Sequence, residues 1–231
     1  MFESKLWKEI NEVVSKRKTL EIIDFDDDSV LIEGVFELSD SAGVFDAFDT
    51  TIKVSSSFPW KYPRVFETSG RVIRDAHHHC MPEGFACLSS WPVWLAANDN
   101  LSFEAVINGP IADWFLSQSI FERKGEWIYG ELEHGIYGQL QAMGDLLKIE
   151  APIDIKNKLE LLGFSLKINS GLVVFLEGQK GHIKCFCESG SRYRDCHREH
   201  IKKLKSDITF SRRKFLMDHA VWLSKQVNKL P

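Results

Sequence analysis

Between residues 20 and 54 the chain alternates apolar and polar side chains in three successive runs, and no other feature restricts its fold as tightly. Leu20–Phe25 forms the first run. Val30, Ile32, Phe36 and Leu38 form the second, and Phe48, Ile52 and Val54 the third. A period of two places each set on one face of a sheet. The segments DFDDDS and SDSAG between the runs are rich in turn formers. The runs therefore predict an antiparallel meander with one solvated face. Prolines 59 and 63 in SSSFPWKYP preclude regular ladder bonding there, after which Arg64–Thr68 can supply a short fourth strand.

Helical spacing flanks the meander. Phe2, Leu6, Ile10, Val13 and Val14 share one side of a helix ending near Lys18. A second helix resumes at Ser102, with Phe103, Val106, Ile107, Ile111, Trp114 and Phe115 on one stripe and a kink expected at Gly109-Pro110. A third carries Ile128, Leu132, Ile136, Leu140, Met143 and Leu147. Strands followed by helices indicate an α+β fold over residues 1–150.

From Ala151 the texture changes. A short helix is expected at Asn157–Leu162, stopped by Gly163, followed by a hairpin signal in GLVVFLEG and a last amphipathic helix marked by Phe215, His219, Trp222 and Leu223. Residues 151–231 are thus expected to form a C-terminal extension. Residues 179–231 hold thirteen Lys/Arg against five Asp/Glu, a balance of +8 that leaves −12 on residues 1–178. Such a basic tail allows contact with nucleic acid or acidic protein, although solvated helix faces account for such a bias more often, and nucleic-acid contact is not the expected role. No uninterrupted apolar stretch reaches the length of a membrane span, and the charged N-terminus does not read as a signal peptide, so a cytoplasmic protein without membrane contact is expected.

Gly70 to Asn100 is irregular and holds His77, His78, His79, Cys80, Cys87, Trp91 and Trp94. Long structured loops inside a compact domain are usually functional. A cysteine that carries an acyl group needs a thiolate, access for a carbonyl carbon and donors for the oxyanion. The upstream histidines could provide donors or a general base. Residues alone leave rivals standing. A lone cysteine is more often a small buried hydrophobe, Cys80 competes as nucleophile, the histidines with Cys80 could bind a catalytic metal, and the tryptophans more often pack than touch substrate.

Tyr62-Pro63, His77-His78-His79, Gly84-Phe85-Ala86-Cys87-Leu88 and Trp91/Trp94 occur in this order. The stretch resembles the active-site region of ubiquitin-conjugating enzymes, which share a helix, a four-stranded meander, a Tyr-Pro loop, a His-Pro-Asn tripeptide, a Gly-x-x-Cys-Leu segment, a nearby Trp and then helices. The resemblance covers roughly residues 1–150. It implies that Cys87 forms a thioester, that His77 matches the family histidine, and that His79 stands where the family has an oxyanion-supporting asparagine. Here the departure is chemical, because an imidazole can take a proton and a neutral amide cannot. Bacterial members of this kind imply an antiphage operon with cyclic-oligonucleotide signalling, and a ubiquitin-like protein or a cGAS-like nucleotidyltransferase as acyl donor. The sequence shows no adenylating domain, so a separate activating enzyme or a preloaded donor is required. The competing expectation is a non-catalytic adaptor that uses the same fold and the basic tail.

Three of five cysteines crowd into residues 185–196. Cys185, Cys187, Cys196 and His197 offer three thiolates and an imidazole, a set suited to one tetrahedral, structural Zn2+. Cys-x-Cys, then eight intervening residues, then Cys-His resembles the SEC-C motif, with Phe186 and Glu188 departing from its usual Pro and Gly.

Overall fold

The computed structural model describes residues 5–129 and 133–230. Phe2 and Leu132, expected on helical stripes, lie outside the described residues. The architecture is α+β, and the chain divides into two compact units, Met1–Ser89 with Asn100–Glu131, and Ser90–Asp99 with Leu132–Pro231.

In the first unit, α1 (Lys5–Ser15) precedes β1 (Leu20–Phe25), β2 (Ser29–Asp40), β3 (Gly43–Ser55) and β4 (Arg64–Glu67), an antiparallel sheet in the order β1-β2-β3-β4. The register follows the alternation. Val30 faces Val54, Ile32 faces Ile52 and Phe36 faces Phe48, and all six are buried. Each such pair adds a few tenths of a kcal/mol to about 1 kcal/mol beyond burial. Gly34 breaks the apolar run for a steric reason. Its φ is 135°, and a Cβ there would sit 2.1 Å from the Thr19 carbonyl oxygen, which accepts the Val35 N–H at 2.7 Å.

The next element, α2 (Trp91–Ala97), belongs to the second unit. The chain then returns through α3 (Phe103–Val106), a π-helical turn (Ile107–Ile111) and α4 (Ala112–Lys124). The break expected at Gly109-Pro110 takes the form of this π turn, because Pro110 has no N–H to donate. Phe115 of α4 stacks on Phe36 at 4.7 Å and leans on Phe48 at 5.0 Å, which closes the core over the sheet.

The second unit adds α5 (Gly135–Leu147), α6 (Lys158–Glu177), a 3-10 turn (Tyr193–Asp195), α7 (Arg198–Asp207) and α8 (Phe210–Val227). Two expectations need correction. Ile128 is 40% exposed in a turn ahead of α5, and α5 packs in the helical core with Leu140, Met143 and Leu147 rather than closing the first unit. Asn157–Leu162 and GLVVFLEG are one continuous helix, not a short helix and a hairpin. Asn157 caps α6 by accepting the Leu159 and Glu160 N–H groups. Val174 and Phe175 are buried in it, and burial outweighs their strand preference, which is worth only tenths of a kcal/mol per residue. Position 171 of this helix is glycine because a Cβ would press to 3.0 Å of Phe186 and 3.1 Å of Leu147. Although α6 is long and apolar enough to cross a membrane by length and composition, its Leu161, Phe164, Ile168, Leu172 and Phe175 form the centre of the helical core. Arg212 of α8 donates to the carbonyls of Leu95 and Asn98 and pairs with Asp99 at 3.1 Å, satisfying the open end of α2.

Candidate functional site

Cys87 lies just past a tight hairpin. Cys80 bridges Ala86, the Met81 N–H donates to Phe85 O at 2.8 Å, and the Gly84 N–H donates to Met81 O at 2.8 Å. Pro82 and Glu83 occupy the turn, and Gly84 supplies its positive φ of 86°. The Cys87 N–H then donates to the His79 carbonyl at 2.7 Å, and the Ala86 N–H to Val65 O on β4 at 2.7 Å, so the loop is fastened to the sheet edge.

One hydroxyl spans the cysteine. Tyr62 Oη donates to Ala86 O at 2.6 Å and accepts from the Leu88 N–H at 2.6 Å, holding the peptides on both sides of Cys87. Helix α4 reaches the same loop from beneath. Trp114 Nε1 donates to the His79 carbonyl at 3.0 Å, and Gln118 donates to the His78 carbonyl at 2.7 Å. Backbone fixing by three side chains is a means of presenting one atom reproducibly.

The three histidines go to different neighbours. His77 is exposed and meets Phe121 edge-on at 5.3 Å. His78 Nδ1 lies 2.7 Å from Asp75, whose carboxyl this contact holds below its ordinary range. His79 adopts the left-handed region at φ 52°, a conformation uncommon outside glycine, and its ring stands edge-on to Trp127 at 4.5 Å. Trp127 in turn stacks on Phe121 at 4.1 Å. The divergence does not bring His77, His79 and Cys80 together as ligands among the described residues.

Cys87 is half-buried and Cys80 is buried. Burial pushes the Cys80 thiol up to about 11, and that thiol faces the His78 carbonyl at 3.7 Å. Burial also raises the Cys87 thiol, disfavouring its thiolate. Trp91 and Trp94 stack on each other at 4.9 Å at the start of α2, in the helical unit, with Trp91 only 6% exposed; they pack.

The second cluster stands within the helical unit. The ligand atoms of Cys185, Cys187, Cys196 and His197 all lie within 4.8 Å of one another and could hold a metal ion. His197 Nδ1 is 3.2 Å from Cys185 Sγ and 3.0 Å from Cys196 Sγ, and the sulfurs of Cys187 and Cys196 are 3.6 Å apart. His197 Nε2 meets the Lys148 carbonyl at 2.8 Å, which assigns the proton to Nε2 and leaves Nδ1 as a lone-pair donor facing the thiols. Burial pushes the Cys185 thiol up to about 12, so ion binding there displaces a proton.

Sequence reasoning placed the sulfurs but not their supports. Tyr62 was visible only as half of a Tyr-Pro pair, and nothing in the sequence marked Trp114, Gln118, Trp127 or Lys148 as partners of these loops. No protein-family model, curated protein or solved structure matches the chain.

Proposed function

We propose that the chain is a ubiquitin-conjugating-like acyltransferase with the corresponding fold, carrying a protein C-terminal acyl group as a thioester on Cys87. The supporting observation is the clamp on both sides of that residue: the Tyr62 hydroxyl and the His79 carbonyl fix the Ala86–Leu88 backbone while the thiol stays half-buried beside a fastened loop. In loading, the Cys87 thiolate attacks the activated carbonyl carbon of the donor, and the donor's previous leaving group departs with the electron pair. In discharge, an amine attacks the thioester carbon, the oxyanion collapses, and the carbon–sulfur bond breaks to return the thiolate. His79 is assigned proton and oxyanion management in the second step, and His77 a role at the loop's outer edge. A ubiquitin-like protein or a cGAS-like nucleotidyltransferase is the proposed donor, activated elsewhere, in an antiphage setting in the cytoplasm.

Zinc is the ion proposed for the second cluster. With zinc–sulfur and zinc–nitrogen bonds of about 2.3 and 2.0 Å, a tetrahedron separates its ligand atoms by about 3.5–3.8 Å; three spacings here, 3.0 to 3.6 Å, need a small expansion, and the widest, within 4.8 Å, a contraction by side-chain rotation. Four protein ligands leave no open position, so the ion's role is structural.

The test compares wild type with Cys87→Ala after purification together with the products of neighbouring genes. A thiol-labile adduct on non-reducing gels, absent from the variant, is expected. Partner capture that survives Cys87→Ala with no adduct in wild type would instead make the chain an adaptor. In single-turnover assays His79→Ala slows discharge by about 10²-fold or more and loading far less; equal losses in both steps would remove the role given to His79.

A further inference from the structure

Helix α6 carries apolar residues on every side, yet one of its sides is open. Leu159, Leu166 and Val173 follow one another at intervals of seven residues and are 80%, 66% and 39% exposed. At 3.6 residues per turn, the α6 residues within about 40° of Leu166 are Leu159, Leu162, Ser170, Val173 and Glu177. This stripe runs the length of the helix with a single charge, Glu177, in its last turn. Lone exposed apolar residues are ordinary. A helix apolar all round is normally covered all round, and an uncharged stripe in heptad register is a seam for packing against another helix.

Helix α8 widens the stripe. Ser224 Oγ meets Ser165 Oγ at 2.8 Å and accepts from Asn169 Nδ2 at 2.7 Å, which fixes the side of α8 turned toward α6. Val221 and Met217 precede Ser224 by three and seven residues and share that side, and Val221 is 41% exposed. Two adjoining helices, each about 30 Å long and about 10 Å wide, present about 600 Å², so two such faces bury about 1,200 Å², the lower bound for a stable specific interface. The spacing is symmetric about Leu166, and an antiparallel two-fold pairing that sets Leu166 against its mate also sets Leu159 against Val173 in both halves. Charge agrees with that pairing. Glu177 lies at the negative end of its own helix, where no basic residue accompanies it, and the pairing moves it toward the positive end of the partner's α6, which begins at Lys158. A lipid surface would instead call for a basic rim, whereas Glu160 and Lys167 border the stripe and Lys167 is held by Glu188 at 3.3 Å.

We propose that the chain forms a two-fold dimer through this stripe, with α6 antiparallel to its mate and Leu166 at the axis. The proposal is independent of acyl transfer and of Cys87. It is tested with the full chain by sedimentation equilibrium over a wide range of protein concentration, where wild type should reach twice the 26.5 kDa of one chain. Leu166→Glu sets two like charges against each other at the axis and should raise the dimer Kd about 100-fold or more. Because Leu166 is exposed in the single chain, circular dichroism should stay unchanged. Val44→Glu, at a 57% exposed apolar position near the start of β3, should leave the Kd as in wild type. Cross-linking supplies a second reading that does not depend on the glutamate variant folding. Oxidised Leu166→Cys should give a disulfide between the two copies of residue 166, identified by peptide mass spectrometry, and Leu159→Cys should link to Val173→Cys in a mixture of the two variants but not to itself. A wild-type monomer at every concentration, an undisturbed dimer in folded Leu166→Glu, or self-linking of Leu159→Cys would overturn the proposal. Flotation of a monomeric wild type with anionic lipid vesicles, lost in Leu166→Glu, would overturn it too and assign the stripe to a membrane surface.

Discussion

Replacing Tyr62 with phenylalanine isolates the contribution of one oxygen atom to the presentation of Cys87. The hydroxyl satisfies the Ala86 carbonyl and the Leu88 N–H at 2.6 Å each. Both residues are buried, Ala86 at 1% and Leu88 at 9% exposure, so water does not readily take over. Leaving a buried polar group unpaired costs about 1–3 kcal/mol, and two such groups give about 2–6 kcal/mol, falling mainly on the loop that holds Cys87. If that loop must open before a reagent reaches the sulfur, a loss of about 3 kcal/mol raises the alkylation rate roughly 100-fold. A second effect acts in the same direction. Burial raises the Cys87 thiol, so a loosened loop lets its pKa fall toward the ordinary value and increases the thiolate fraction at any pH below it. The assay is iodoacetamide labelling of Cys87 from pH 7 to 10 by mass spectrometry, with urea unfolding on the same samples. Tyr62→Phe should label faster, with its pH midpoint lowered. Unchanged labelling together with a stability loss under about 0.5 kcal/mol, the ordinary range for a neutral surface change, would refute the clamp.

Chelation or Cys185→Ser should release about one ion per chain, read by plasma mass spectrometry, and lower the thermal stability of the helical unit, since a bound structural ion adds folding free energy; an ion retained in the variant would refute the ligand set. His219 lies against Gln139 at 2.5 Å and stacks on Trp222 at 5.4 Å, and burial lowers its pKa from 6.5 to about 4. The unfolded chain therefore binds the extra proton first, so stability present above pH 6.5 is lost as pH falls toward 4, by at most about 3 kcal/mol. Urea titrations should show His219→Gln losing less over that window than wild type, and parallel curves would refute the assignment.

The meander was legible because alternation in β2 and β3 encodes both strand and face, and Ile32 and Phe36 fall opposite Ile52 and Phe48 as the pattern required. Both cysteine clusters were legible as spacings. What stayed hidden is tertiary. GLVVFLEG contains β-branched residues and reads locally as strand, yet in α6 its Val174 and Phe175 face other helices, and the glycine at 171 marks a close approach to Phe186 and Leu147. Of the residues that fasten the Cys87 loop, Trp114 is written on a helical stripe that explains it fully as core, Gln118 is a polar residue outside that stripe, and their bonds to the carbonyls of His79 and His78 bridge 35 and 40 positions. The membership of α5 was hidden likewise, since an amphipathic helix does not specify which core will receive it.

Soon after Cys87 the chain departs at Ser90, contributes α2 to the helical assembly, and re-enters the sheet-bearing assembly at Asn100. Neither half is a contiguous string that a single cut could liberate. Trimming at residue 150 would strand Leu95 and Ala96 without the α8 surface and strip Arg212 from the carbonyls it satisfies, so α2 would fray although it lies well ahead of the cut.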